Sequence, residues 1–252
     1  MKPHLCIVIV LFNLGCSGQS DNSLLNPSIQ KEAATIKNPG ISSLAELHII
    51  KASENYASVK KSISKERQQL ISKDLTVDSL GKIFKTSLLN KILPFWEGTE
   101  WSFEGHTSKP GIGKIACGYF VSTTLQDIGL HVNRYALAQQ SPIDEAKSLA
   151  IDIEVKEFSE PTTLKNIAAI KAYLKEGIHF IGFDQSHVGY VLKDNGDLYL
   201  IHSNYIGAAG VQIERMEQSG VFKSYGKFYI VELSTNENLL HDWVAGKEIK
   251  IH

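Results

Sequence analysis

The sequence predicts an α+β fold, because helix-like stretches come first along the chain and strand-like ones follow close together. Asn195-Gly196, between the apolar runs "HVGYVL" and "LYLIHS", marks a two-residue hairpin turn, so the sheet should be antiparallel. The chain has 252 residues, a formal net charge of -1 and 43% hydrophobic content, which suits one globular domain plus a tether.

The first helical periodicity runs from Ser42 to Leu93, with Ser42 or Ser43 able to cap one helix and Asp74 or Thr76 another. The charged stretch from Lys60 to Lys73 has few apolar positions and reads as a solvated helical face or the arm of a helical hairpin. Cys117 then begins a pattern in which Phe120, Val121, Leu125 and Ile128 share one helix face, closed by Gly129. Pro142 opens a second short helix, and Thr162 or Thr163 caps a third that runs to Lys175. Strands are expected at 178–183, 187–192, 198–203 and 227–233.

The first twenty residues, "MKPHLCIVIVLFNLGCSGQS", address compartment rather than fold. Lys2 gives a short positive region, Leu5 to Phe12 an apolar one, and small residues surround Cys16; the apolar run is too short to span a bilayer. Leu14-Gly15-Cys16 resembles the lipobox of bacterial lipoproteins, which implies lipidation of Cys16, although Asn13 stands where an aliphatic residue is usual. Ordinary secretion with a free Cys16 is the alternative; on either reading the chain is exported. A lipid anchor at Cys16 would hold it on the periplasmic side of a membrane or at the cell surface.

Five segments follow: a signal peptide (1–16), a polar linker (17–40), a helical region (41–93), a main domain (94–235) and a C-terminal tail (236–252). With Cys6 removed and Cys16 acylated, Cys117 has no intramolecular partner. Such a thiol is either buried and inert or kept for its reactivity. Near-neutral charge without a basic run gives no footprint for nucleic acid, and a monomer is expected.

Three polar groups lie where chemistry could converge. Cys117 stands at a helix N-terminus, where unpaired N–H groups and the helix dipole favour a thiolate. If the Asn195-Gly196 turn pairs Asp194 with Asp197, His187 faces Asn204, and His202 lies one diagonal step away on the same sheet face. A base oriented by a third polar group beside a thiol is what nucleophilic cysteine catalysis requires. His202, Ser203 and Asn204 each qualify as the orienting group. Cys117, His187 and His202 could also be three zinc ligands, but the chain lacks the short-spaced His or Cys pairs that usually build such sites, and no metal or other cofactor is expected. His106 and His131 are expected to be solvated.

A cysteine opening a helix, His-Val-Gly opening a strand and Ile-His-Ser closing the next together resemble the papain-like NlpC-type cell-wall peptidases. The resemblance covers roughly residues 95 to 233, with "GTEWSFEG" at 98–105 similar to that family's Gly-Thr-Pro-Tyr segment. It implies Cys117 as nucleophile, His187 as base and His202 as its orienting partner, with Trp101, Tyr119 and Asn204 contacting substrate. It further implies hydrolysis of an amide bond in peptidoglycan or another peptide. Ala116 and Gly118 flank Cys117 where the family commonly has Asp-Cys-Ser-Gly, and Trp101 replaces a tyrosine, so the family's usual cut beside D-glutamate is not inherited with the catalytic set. The competing reading is a non-catalytic, surface-tethered peptide- or cell-wall-binding protein on the same scaffold.

Overall fold

The computed structural model describes residues 55–184, 186–207 and 210–252. Cys6, Cys16, the signal and linker segments and the Ser42 or Ser43 cap lie outside the described residues.

Helix α1, Tyr56–Leu70, starts where the Asn55 side chain accepts the Ala57 N–H. Its charged sequence hides Val59, Ile63 and Leu70, which recur on one face and are buried, so this stretch is a solvated helix with one docked stripe. Thr76, rather than Asp74, caps α2, Val77–Thr86, by accepting the Ser79 N–H. A π-helical turn, Ser87–Ile92, joins α2 to α3, Leu93–Trp96. Pro94 has no N–H to return to the preceding turn, and the widened turn, with Leu93 N–H donating to Leu88, accommodates it.

Next come α4, Cys117–Asp127, α5, Arg134–Ala138, and α6, Pro142–Leu149. After strand β1, Lys156–Phe158, helix α7, Thr163–Tyr173, is capped by Thr162. Strands β2, Gly177–Phe183, β3, His187–Asp194, β4, Asp197–Asn204, and β5, Gly210–Arg215, follow. Helix α8, Gly220–Lys223, strand β6, Phe228–Glu232, and helix α9, Glu237–Ala245, complete the order.

The six strands form one antiparallel sheet in the order β1-β6-β2-β3-β4-β5, so the fold is α+β as expected. Asp194 pairs with Asp197, the register anticipated from the Asn195-Gly196 turn, where both turn residues have positive φ. Alternating strand positions feed two cores. Ile178, Phe180, Tyr190 and Ile201 meet Phe84, Trp96 and Phe120 on one face; Ile181, Phe183, Val191 and Leu200 meet Ile170 and Phe222 on the other.

Two expectations change. Residues 236–252 do not trail as a tail, because Leu239, Leu240 and Trp243 make an apolar stripe that buries α9 in the first core. Trp243 packs edge-on against Phe84, and its Nε1–H donates to the Ile128 carbonyl at 2.8 Å. The described helices before residue 94 share that core with the main domain, so the boundary at 93 separates no independent unit. They meet α4 at its far end: Tyr56 donates to Asp127, ten residues after Cys117 in an 11-residue helix. Among the described residues, no helix is long and apolar enough to cross a membrane.

Candidate active site

The segment before Cys117 fixes where the thiol stands. Ile115 N–H donates to Glu100, Ala116 N–H donates to Gly105, and the Ser203 hydroxyl of β4 donates to the Ile115 carbonyl at 2.7 Å. Ala116 then occupies the N-cap of α4, and an alanine has no oxygen with which to accept the first helical N–H groups. Those donors therefore remain for the thiol and for anything bound beside it. The sulfur lies against the β3 backbone on either side of His187: it is 4.0 Å from the Ser186 carbonyl and faces the Val188 N–H.

Gly118 has a packing reason. A Cβ there would come within 2.6 Å of the Ala138 carbonyl, so only glycine lets α5 sit this close beside α4. The departure from the Cys-Ser pattern thus follows from local packing.

On the sheet, the anticipated diagonal exists. His187 Nε2 and His202 Nδ1 are 2.8 Å apart, and His202 Nε2 lies 3.1 Å from Glu214 Oε1 of β5. Burial opposes ionisation of Glu214, but hydrogen bonds from His202, Ser219 and Gln212 hold its carboxyl below the usual range. An ionised carboxylate only accepts, so His202 Nε2 carries a proton and, in the neutral ring, its Nδ1 is an acceptor. His187 Nε2–H must then donate to His202, which leaves the His187 lone pair on Nδ1. The chain of three fixes the base in the tautomer that can take a proton from a neighbouring thiol.

Of the three candidate orienting groups, the structure brings only His202 to the base. Ser203 is engaged with Ile115, and Asn204 closes its own turn, accepting the Ile206 N–H and donating to the Ile206 carbonyl, each at 2.8 Å. Asn204, expected as a substrate contact, is not among the residues lining the cavity of Cys117 and His187.

Cys117 and His187 line one cavity of about 560 Å³, together with Trp101, Tyr119, Tyr205 and Glu145. Trp101 and Tyr119, expected as substrate contacts, thus border the same cavity as the thiol. Trp101 packs against Tyr205 at 5.9 Å between ring centroids, Tyr205 sits edge-on to His187 at 5.4 Å, and Gln139 donates to the Tyr119 hydroxyl at 3.1 Å. His106 and His131 are exposed, as expected.

The electrostatics of the pair depart from a ready-made thiolate. Burial pushes the Cys117 thiol up to about 11, against the opposing pull of the Val188, Gly118 and Cys117 N–H groups. Burial and the adjacent His202 hold His187 well below the usual imidazole value. Helix-end donors alone do not outweigh desolvation, so the empty site rests as a neutral thiol beside a neutral imidazole. Cys117 keeps a partial opening to the cavity.

Glu145, Glu214 and Tyr205 were not singled out from the sequence. Glu145 had a signal: Pro142, Glu145, Ala146 and Leu149 form the buried stripe of α6, with a glutamate where an apolar residue belongs. Among the described residues, no group of three or more His, Cys, Asp or Glu side chains is arranged to hold a metal ion. No family model matches the chain, and no match was found among curated proteins or solved structures.

Proposed function

We propose that this protein is a papain-like, NlpC-type cysteine hydrolase that cleaves an amide bond, with cell-wall peptide as its substrate. The observation that carries the reading is the shared cavity of Cys117 and His187, with the base held through His202 by Glu214. The cell-wall assignment is supported by the export-type N-terminus and the family resemblance, and a lipid at Cys16 would keep the enzyme at the membrane surface.

Starting from the neutral pair, the Cys117 proton passes to His187 Nδ1 as sulfur bonds to the amide carbon. The carbonyl oxygen becomes an oxyanion, stabilised by the backbone N–H of Cys117 at the start of α4, where no side chain caps the helix. Positive charge on His187 is met by His202 and the Glu214 carboxylate. Collapse breaks the C–N bond, and His187 returns the proton to the leaving amine. Water, deprotonated by His187, then attacks the thioester, releasing the acid and restoring the thiol.

A binding protein that does not turn over substrate is the second reading, favoured by the elevated thiol. Incubation with purified peptidoglycan fragments, following the appearance of new free amines, separates the two. Release by the native protein and its loss in Cys117→Ala are expected. Fragments that bind without cleavage would favour the second reading.

A further inference from the structure

Among the described residues, Glu145 is the one carboxylic acid lining the cavity, and it is only 1% exposed. Its Oε1 has no hydrogen-bond partner among the described residues. Buried polar atoms are nearly always partnered, and an exception on a residue that lines a cavity points to a partner that arrives with a ligand. The polar side chains of Gln139, Gln140 and Ser186 in the lining are already engaged: Gln139 with Tyr119, Gln140 with the His252 carbonyl and Ser148, and Ser186 with Tyr225.

The surroundings select the partner's charge. No Lys or Arg lines the cavity among the described residues, and the rings of Trp101, Tyr119 and Tyr205 do. A single carboxyl group among aromatic faces suits a protonated amine, which gains both a charge-assisted hydrogen bond and contact with the π faces. A carboxylate ligand would find no cation here. Burial keeps Glu145 protonated while the site is empty.

We infer that Glu145 is a substrate-recognition residue that receives a primary ammonium group carried by the substrate close to the amide attacked by Cys117. This rests on the hydrolase reading for the identity of the attacked bond, but the ammonium site itself is tested by binding alone. On arrival of the cation, Glu145 releases its proton to solvent and forms an ion pair, so binding of the amine is coupled to loss of a proton.

The titratable groups facing Glu145 are Cys117 of α4 and Tyr190 of β3, with His187 of β3 in the same cavity. On the side where α6 packs, β2 and β6 contribute Ile178, Phe180, Val231 and the Tyr229 phenol. Arg134 of α5 is engaged with Thr123, His106 and Thr107, and on α6 itself Asp144 and Lys147 are exposed and pair at 2.9 Å. None of these supplies a cation to Glu145.

The test uses the whole chain carrying Cys117→Ala, which binds but does not turn over, and two probes: Ala-Ala amide with a free α-amine and its N-acetyl derivative. Calorimetry at neutral pH in buffers of different ionisation enthalpy measures affinity and proton release together. Expected are a preference for the free amine of about tenfold or more and release of about one proton per ligand, both lost when Glu145→Gln is added. Equal binding of both probes, binding of neither, or proton release that survives Glu145→Gln would overturn the inference. The probe comparison in the Cys117→Ala parent stands even if Glu145→Gln fails to fold. Peptidoglycan turnover by the native protein reports separately on the hydrolase reading.

Discussion

The two walls of the cavity treat their polar groups in opposite ways. On the strand wall, His187, His202 and Glu214 form a closed series in which each hydrogen bond dictates the tautomer of the next ring. On the helix wall, the Cys117 sulfur meets backbone groups only, the Ser186 carbonyl at 4.0 Å and the N–H groups of Val188 and Gly118, and Glu145 Oε1 has no partner among the described residues. Strands at fixed register hold neighbouring side chains in a defined diagonal, so a relay can be completed in advance. The helix wall keeps unsatisfied groups facing the cavity, at a cost in stability, and they are completed only when something binds.

The sharpest way to break this contrast is to remove the finished wall. His187→Ala should lower hydrolysis by about 10²–10⁴-fold, the usual contribution of a positioned base. The resting helix wall can be read in the same protein by iodoacetamide labelling across pH. Because burial raises the thiol, it stays protonated through neutral pH, and labelling should climb only above the free-thiol value of about 8.5, toward about 11. A reactive plateau below about pH 7 that disappears in His187→Ala would reveal a preformed thiolate–imidazolium pair and break the distinction between the walls.

A second effect concerns the cost of the open wall. Glu145 keeps its proton when folded, whereas the unfolded chain loses it above the ordinary value of 4.5. The native state then binds more protons, so its stability falls as pH rises, by about 1.4 kcal/mol per pH unit while Glu145 remains protonated. Glu145→Gln removes that dependence. Thermal denaturation should show the variant gaining on the native protein from about pH 5 to pH 8; a difference that does not change with pH would mean that Glu145 is already ionised.

The strand wall was legible because its information is periodic. Asn195-Gly196 fixes the turn, the turn fixes the register, and parity then puts His187 and His202 on one face. Glu214 escaped notice because the length of the connection between β4 and β5 leaves their register open, so no parity argument reaches it. Glu145 is hidden differently: beside Asp144 in the first turn of α6, its position is one where an exposed acid would complement the helix dipole, and only its place on the buried stripe marks it out. The resting state of the thiol was misjudged because a helix N-terminus is visible in sequence and desolvation is not. Helix α9 was overlooked for want of a long periodic run, although its Trp243 seals the core.

The smallest expected effect tests how far the strand wall acts as a unit. Glu214→Gln retains an oxygen that can accept from His202 Nε2, so the tautomers, and with them the lone pair on His187 Nδ1, should persist. What is lost is negative charge at the end of the relay, which in the proposed mechanism helps to carry the imidazolium formed as Cys117 attacks. We expect about a tenfold fall in kcat with KM nearly unchanged, and the acid limb of the kcat/KM profile should move to lower pH because His187 binds its proton less tightly. Glu214→Leu removes the acceptor as well, frees His202 to adopt either tautomer, and should cost more than the glutamine variant. Equal losses in the two variants, with the acid limb unmoved, would mean that Glu214 only fills space beneath His202 and that the relay ends at the second histidine.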